Sequence, residues 1–274
     1  MMVGALVYFF VPALVGVLIG IASGLLGIGG GTVMVPIFRL AFGMSATMST
    51  ATSLFAIIPT SISGAISHVK GKTCIPVLGI AAGLGGACLS PVGVWLAQLS
   101  PDWLVMLAAA LIIGYSAINM FKKAFKVPRA GQPAEGADAA ASTADDSSLS
   151  RKQLLQGAAI GLVAGLASGY VGVGGGFIMV PLMLSIIGIP MRKASGTSLI
   201  AVMILAIPGV IEQGIIGNIN YLAGIAIVIG TIPGAAIGAR LVTKVPERTL
   251  RLLFGCFLIV AAVMLVLNEV GIFG

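Results

Sequence analysis

Long stretches of this chain alternate neither in polarity nor in charge. Val3 to Ile21, Ile75 to Leu99, Trp103 to Met120, Tyr221 to Ala239 and Leu250 to Leu267 are almost wholly apolar. Each approaches or exceeds the roughly 20 residues that cross a hydrocarbon core. They are rich in Leu, Ala and Gly, so the pattern predicts transmembrane helices and not the alternating strands of a barrel. Two shorter runs, Thr32 to Phe42 and Phe177 to Ile187, reach only about half way across at the helical rise per residue. Each follows a glycine cluster that closes a Gly-rich helix, Val3 to Gly24 in one case and Gln153 to Gly169 in the other.

The order of these runs occurs twice. Gly20-Ile-Ala-Ser-Gly-Leu-Leu-Gly-Ile-Gly-Gly-Gly-Thr-Val-Met-Val-Pro36 matches Gly165-Leu-Ala-Ser-Gly-Tyr-Val-Gly-Val-Gly-Gly-Gly-Phe-Ile-Met-Val-Pro181 at an offset of 145 positions. The offset holds without gaps through Thr52-Ser53-Leu54 and Thr197-Ser198-Leu199, and on to Pro101 and Pro246. Residues 1–121 and 153–274 are therefore two copies of one unit. Between them, 122–152 changes to Pro, Ala, Gly, Ser and Asp with basic flanks, the composition of a disordered linker outside the bilayer.

Composition agrees with lipid as the solvent: 58% of the 274 residues are hydrophobic and 8% charged, against about 25% charged in ordinary soluble chains. The net charge of +7 does not point to nucleic acid, because the basic residues cluster at the ends of apolar runs, where membrane topology places them. With Lys122, Lys123, Lys126, Arg129, Arg151 and Lys152 putting the linker in the cytoplasm, Lys70 and Lys72 fall inside as well. In the second copy the basic residues occupy the other loops: Arg192 and Lys193, then Arg240, Lys244, Arg248 and Arg251. Only copies of opposite orientation put all of them inside, leaving Arg39 as the exception. The expected fold is an all-α polytopic membrane protein of two inverted-topology repeats. Each repeat is a glycine-broken helical hairpin, either fully crossing or re-entrant, followed by three transmembrane helices. Both termini are expected outside. The first run has no basic n-region and a counterpart deep in the chain, so it is expected to stay in the mature protein. Cys74, Cys88 and Cys256 lack metal or disulfide spacing; neither metal nor cofactor is expected.

Inverted repeats with glycine breaks at corresponding positions are the pattern of secondary transporters, whose sites lie at the repeat interface. Here Gly29, Gly30 and Gly31, with Gly174, Gly175 and Gly176, each lead into a short helix. Uncovered amides at such a helix start favour an anion, and two turns brought together would cradle a small oxyanion. Ser23, Ser168, Thr52, Ser53, Thr197 and Ser198 recur beside them and could donate to its oxygens, or could instead bond carbonyls one turn back. The spaced glycines 16/20/24, 157/161/165/169 and 230/234/238 are expected only to let helices touch. His68 and Glu212 are candidates for proton coupling, although both stand close to helix ends, where a wetted residue is the plainer expectation. Arg39 is expected to snorkel. An enzyme is not expected: Ser63 and His68, five apart, point to different faces of one helix, and no second histidine exists. A channel stays open as an alternative, because broken helices also line pores.

The doubled signature, each copy followed by a Thr-Ser pair, resembles the TauE/SafE family of sulfite and organosulfonate exporters over nearly the whole chain apart from the linker. The resemblance implies a prokaryotic plasma-membrane transporter for a small sulfur-containing anion such as sulfite or sulfoacetate, driven by an ion gradient. Usual descriptions of that family, with about eight helices in two sets of four, imply parallel copies. The swapped basic loops predict inverted ones. Uptake or export, and the oligomeric state, are left open by the residues.

Overall fold

The computed structural model describes residues 2–126 and 150–269. They form α1 (Met2–Leu26), α2 (Gly31–Phe42), α3 (Ala46–Lys70), α4 (Pro76–Leu99) and α5 (Asp102–Lys126). The second series is α6 (Arg151–Val171), α7 (Gly176–Leu182, continued by a π-helical turn over Met183–Ile187), α8 (Met191–Ile216), α9 (Tyr221–Leu241) and α10 (Glu247–Glu269). No strand occurs among the described residues. Seven helices, α3 to α6 and α8 to α10, are long and apolar enough to cross a membrane, and α1 runs for 25 residues. The chain is an all-α polytopic membrane protein. Large apolar side chains such as Leu111, Ile118, Ile215 and Val260 stand exposed on its outer surface, as a lipid-facing belt requires.

Both edges of the expected 122–152 linker are helical. α5 continues to Lys126, and α6 starts at Arg151 behind a capping box in which the Ser150 and Gln153 side chains and backbones pair reciprocally. The rest of that segment, 127–149, lies outside the described residues. α2 has 12 residues and reaches about 18 Å, short of a hydrocarbon core of about 30 Å. With the matching length of Gly176–Ile187, each hairpin therefore returns only part of the way.

The two units interdigitate. The most extensive interfaces join α1 to α9 and α4 to α6, so each Gly-rich helix packs on the other unit. The spaced glycines make this possible. A Cβ at Gly16, Gly20 or Gly24 would strike the carbonyls of Ile227, Thr231 or Ala235, and one at Gly230, Gly234 or Gly238 those of Ala13, Val17 or Ile21. Gly161, Gly165 and Gly169 meet the Ala82, Gly86 and Ser90 carbonyls in the same way. Residue numbers rise together along both interfaces, so these pairs run parallel. Along α3 and α8 they run oppositely: Leu199 meets Gly64, while Gly209 meets Leu54. Near the midpoint, Ile57 and Val202 both border Gly29 and Gly174, and these two residues are equivalent at the 145-residue offset.

A pair of carboxylates absent from the sequence reading ties each unit together. Asp102 accepts from the Ala46 amide and Glu247 from the Met191 amide, both at 3.2 Å, capping the starts of α3 and α8 at equivalent positions. Arg39 lies 3.9 Å from the same Asp102 carboxylate, so an ion pair replaces the expected snorkelling. Asp102→Ala and Glu247→Ala are each expected to cost about 1 kcal/mol of stability, read as a lower melting temperature in detergent.

Candidate functional site

The two glycine turns touch at the centre of the molecule. Gly27, Gly29 and Gly30 have φ of 76°, 75° and 84°, and Gly172, Gly174 and Gly175 have 72°, 87° and 69°. Only glycine adopts this left-handed backbone without penalty. A Cβ at Gly31 would meet the Val173 carbonyl, and one at Gly176 the Gly27 carbonyl and Ile28. The glycines therefore also permit backbone to approach backbone. The N-caps of α2 and α7, Gly30 and Gly175, supply no side-chain acceptor to the first-turn amides. The Gly176 amide turns back to the Gly174 carbonyl at 2.8 Å, and the partial positive charge of both helix starts falls in one buried region. Every residue of both turns is buried, and Ile57 and Val202 pack between them.

The hydroxyls expected around this point divide into two groups. Thr52 accepts from the Asn220 amide at 3.0 Å and Thr197 from the Ile75 amide at 2.9 Å, equivalent bonds that cap α9 and α4. Ser198 donates to the Gly27 carbonyl at 2.7 Å and to the Ser195 carbonyl, pinning the first turn. These three are engaged in the scaffold. Ser23, Ser168 and Ser53 are fully buried, and their hydroxyls have no partner. Ser23 lies against Gly30, 3.6 Å from where a Cβ there would stand.

Four further buried hydroxyls, on Thr32, Ser49, Ser61 and Ser90, have no partner. Ser61 is the most pertinent, since its oxygen lies 3.4 Å from the Cβ position of Gly29. Their counterparts are Phe177, Ala194, Ala206 and Ala235, so a search for polar residues common to both units passes over them.

His68 is fully buried, not the wetted helix-end residue its position suggests. Its Nε2 lies 2.8 Å from the Gly24 carbonyl and its Nδ1 2.7 Å from the Thr73 hydroxyl. A carbonyl only accepts, so Nε2 carries a proton. The equivalent pair in the second unit is Gln213 and Asn218, where Asn218 donates to Gln213 at 2.9 Å. Glu212 is partly exposed, with one carboxylate oxygen buried and without a partner. His68 and Glu212 belong to opposite ends of the antiparallel α3/α8 pair and are not brought together. Among the described residues, no group of three His, Cys, Asp or Glu side chains could hold a metal ion.

Comparison with known proteins fits this doubled, glycine-broken architecture. The family described as "Sulfite exporter TauE/SafE" matches residues 12–265, which include both glycine turns. The chain belongs to the TauE/SafE family. Similar proteins include the probable membrane transporter protein YunE of Bacillus subtilis, 26% identical over 97% of this chain and 99% of its own length. YdhB of the same organism, also a probable membrane transporter, is 27% identical over 85% and 90%. A probable membrane transporter of Haemophilus influenzae is 28% identical over 93% and 97%. No solved structure matches the chain. As a TauE/SafE member with seven apolar helices of spanning length, it is a multi-pass membrane transporter.

Proposed function

We propose that this transporter carries small sulfur-containing oxyanions, such as sulfite or sulfoacetate, by alternating access, with export as its direction. The observation that carries the reading is the meeting of two glycine turns, each opening a helix without a side-chain cap, beside the unpartnered hydroxyls of Ser23 and Ser61, with the unpartnered Ser168 at the position equivalent to Ser23. Buried hydroxyls without a partner and the positive ends of two helices suit an anion. The anion would rest between Gly29 to Gly31 and Gly174 to Gly176, with Ser23 and Ser168 donating to its oxygens. Thr52, Thr197 and Ser198 hold the walls. The description of the matched family as a sulfite exporter supports the substrate class and the direction.

The inverted arrangement belongs to this proposal. The antiparallel course of α3 against α8, with equivalent Ile57 and Val202 at the crossing, supports it, as do the swapped basic loops. With the linker cytoplasmic, both termini lie outside. The burial of both turns favours a carrier that exposes its site by rocking over a standing pore.

Purified protein in liposomes loaded with sulfite or sulfoacetate should release them saturably, and faster under an imposed ion gradient. Absence of efflux for both anions would sink the substrate assignment. Release that rises linearly with concentration would favour a channel.

A further inference from the structure

We propose that a basic niche between α3 and α9 is an antechamber that collects the anion on one face before it reaches the glycine turns. The inference rests on the anion-transport reading above. The niche encloses about 380 Å³ and is lined by Ser67, Lys70, Gly71, Thr73, Ala239, Arg240 and Thr243. It presents two cations and three hydroxyls and contains no carboxylate, a composition that attracts a small oxyanion or an organosulfonate and repels a cation.

Its depth connects to the site. Thr73, in the wall, is bonded to His68, and His68 to the Gly24 carbonyl of α1, three positions before the first glycine turn begins at Gly27. The buried ring thus joins the wall of the niche to the helix that leads into the turn.

The second unit provides an internal control. Ser67, Lys70, Thr73, Arg240 and Thr243 correspond to Glu212, Ile215, Asn218, Trp95 and Gln98. The equivalent region at the other end of the fold therefore carries a carboxylate and no cation. Two units that preserve their glycines, capping carboxylates and capping threonines have diverged here in charge.

Lys72 adds a second, independent sign. It lies between two lining residues and has φ of 54°, the sole positive φ of a non-glycine residue among those described. Its equivalent is Gly217, at φ 83°, the residue this backbone prefers. A lysine stands where glycine would relieve strain, and it adds a third cation beside the niche.

Thiol labelling tests the niche without relying on transport. In a chain with Cys74, Cys88 and Cys256 replaced by alanine, Thr243→Cys is labelled with anionic methanethiosulfonate ethylsulfonate or with its cationic trimethylammonium analogue. The anionic reagent should react about tenfold faster relative to the cationic one than it does at Gln98→Cys, and sulfoacetate should slow it where equal chloride does not. Lys70→Gln with Arg240→Gln should reduce the ratio to about one. Lys72→Gly should lower the ratio about twofold with a melting temperature equal to or above that of the parent. Equal charge preference at positions 243 and 98, or a preference untouched by the double substitution, overturns the antechamber. Efflux of sulfoacetate from liposomes separates the two claims. Efflux without charge preference refutes the niche alone, while preference and protection without efflux refute the transport reading and leave an anion site.

Discussion

Valine at Gly30, or at Gly175, abolishes transport while the protein still inserts and is recovered folded from membranes. The backbone at these positions has φ of 84° and 69°, a conformation costing an L-residue of order 1–2 kcal/mol, and more for a β-branched one. The turn therefore relaxes toward negative φ, and the backbone at the start of α2 or α7 is reoriented. At Gly30 a Cβ would stand 3.0 Å from Ile19 Cγ2 and 3.1 Å from Met34 Cε, and at Gly175 it would stand 3.0 Å from the Ala164 carbonyl, contacts that a shift of a few tenths of an ångström relieves. The fold can absorb the change, but the geometry of the donors cannot. Gly230→Val is the contrasting case. There a Cβ runs into the Ala13 carbonyl on the facing helix, so the α1/α9 interface itself is lost and folded protein with it. Membrane yield, melting temperature and sulfite efflux measured together separate the outcomes: normal efflux by both Gly30→Val and Gly175→Val would remove the turns from the site.

The scaffold was largely legible because it repeats. The 145-residue offset predicted which helices correspond, and the spaced glycines predicted close packing, while the short runs after each glycine cluster left open whether the hairpins cross fully or are re-entrant. The partner of each helix was not legible. That α1 packs on α9 and α6 on α4 depends on interdigitation, which leaves no mark in local hydropathy. The capping carboxylates Asp102 and Glu247 were missed for a similar reason, since each acts on an amide 56 positions away.

The glycines of the candidate site were legible as breaks between helices, whereas the partners of its hydroxyls were not. Recurrence in both units was the criterion, and it selected Thr52 and Thr197, which cap α9 and α4 through equivalent long-range bonds. A symmetric scaffold needs symmetric bonds, so recurrence marks structure as readily as function. Ser53 and Ser198 show the limit of the rule: equivalent in sequence, one is unpartnered and the other pins Gly27. Ser61, beside Gly29, has alanine as its counterpart and escaped the criterion altogether. His68 illustrates the same point for burial, because α1, more than 40 positions earlier, and Gly196 of α8, more than 120 positions later, both close over it.

Ser23→Ala combined with Ser168→Ala should yield a transporter that is more stable and nearly inactive. Both hydroxyls are fully buried and unpartnered, a state that costs about 1–3 kcal/mol per group. Replacement by alanine removes that penalty and leaves a void of one oxygen atom, so the balance favours the variant and its melting temperature rises. Serines engaged in the scaffold behave oppositely: Ser198→Ala frees the Gly27 carbonyl and lowers the melting temperature. If the two orphan hydroxyls donate to the oxyanion, each loss removes about 1–1.5 kcal/mol of binding, or roughly tenfold apiece. The double variant should then carry sulfite with a KM on the order of a hundredfold higher. Stability retained at the expense of activity is the expected trade where a site keeps polar groups waiting for a ligand. A double variant that melts higher and transports normally would assign both hydroxyls to unproductive burial and move the oxyanion contacts to Ser53, Ser61 and the glycine amides alone.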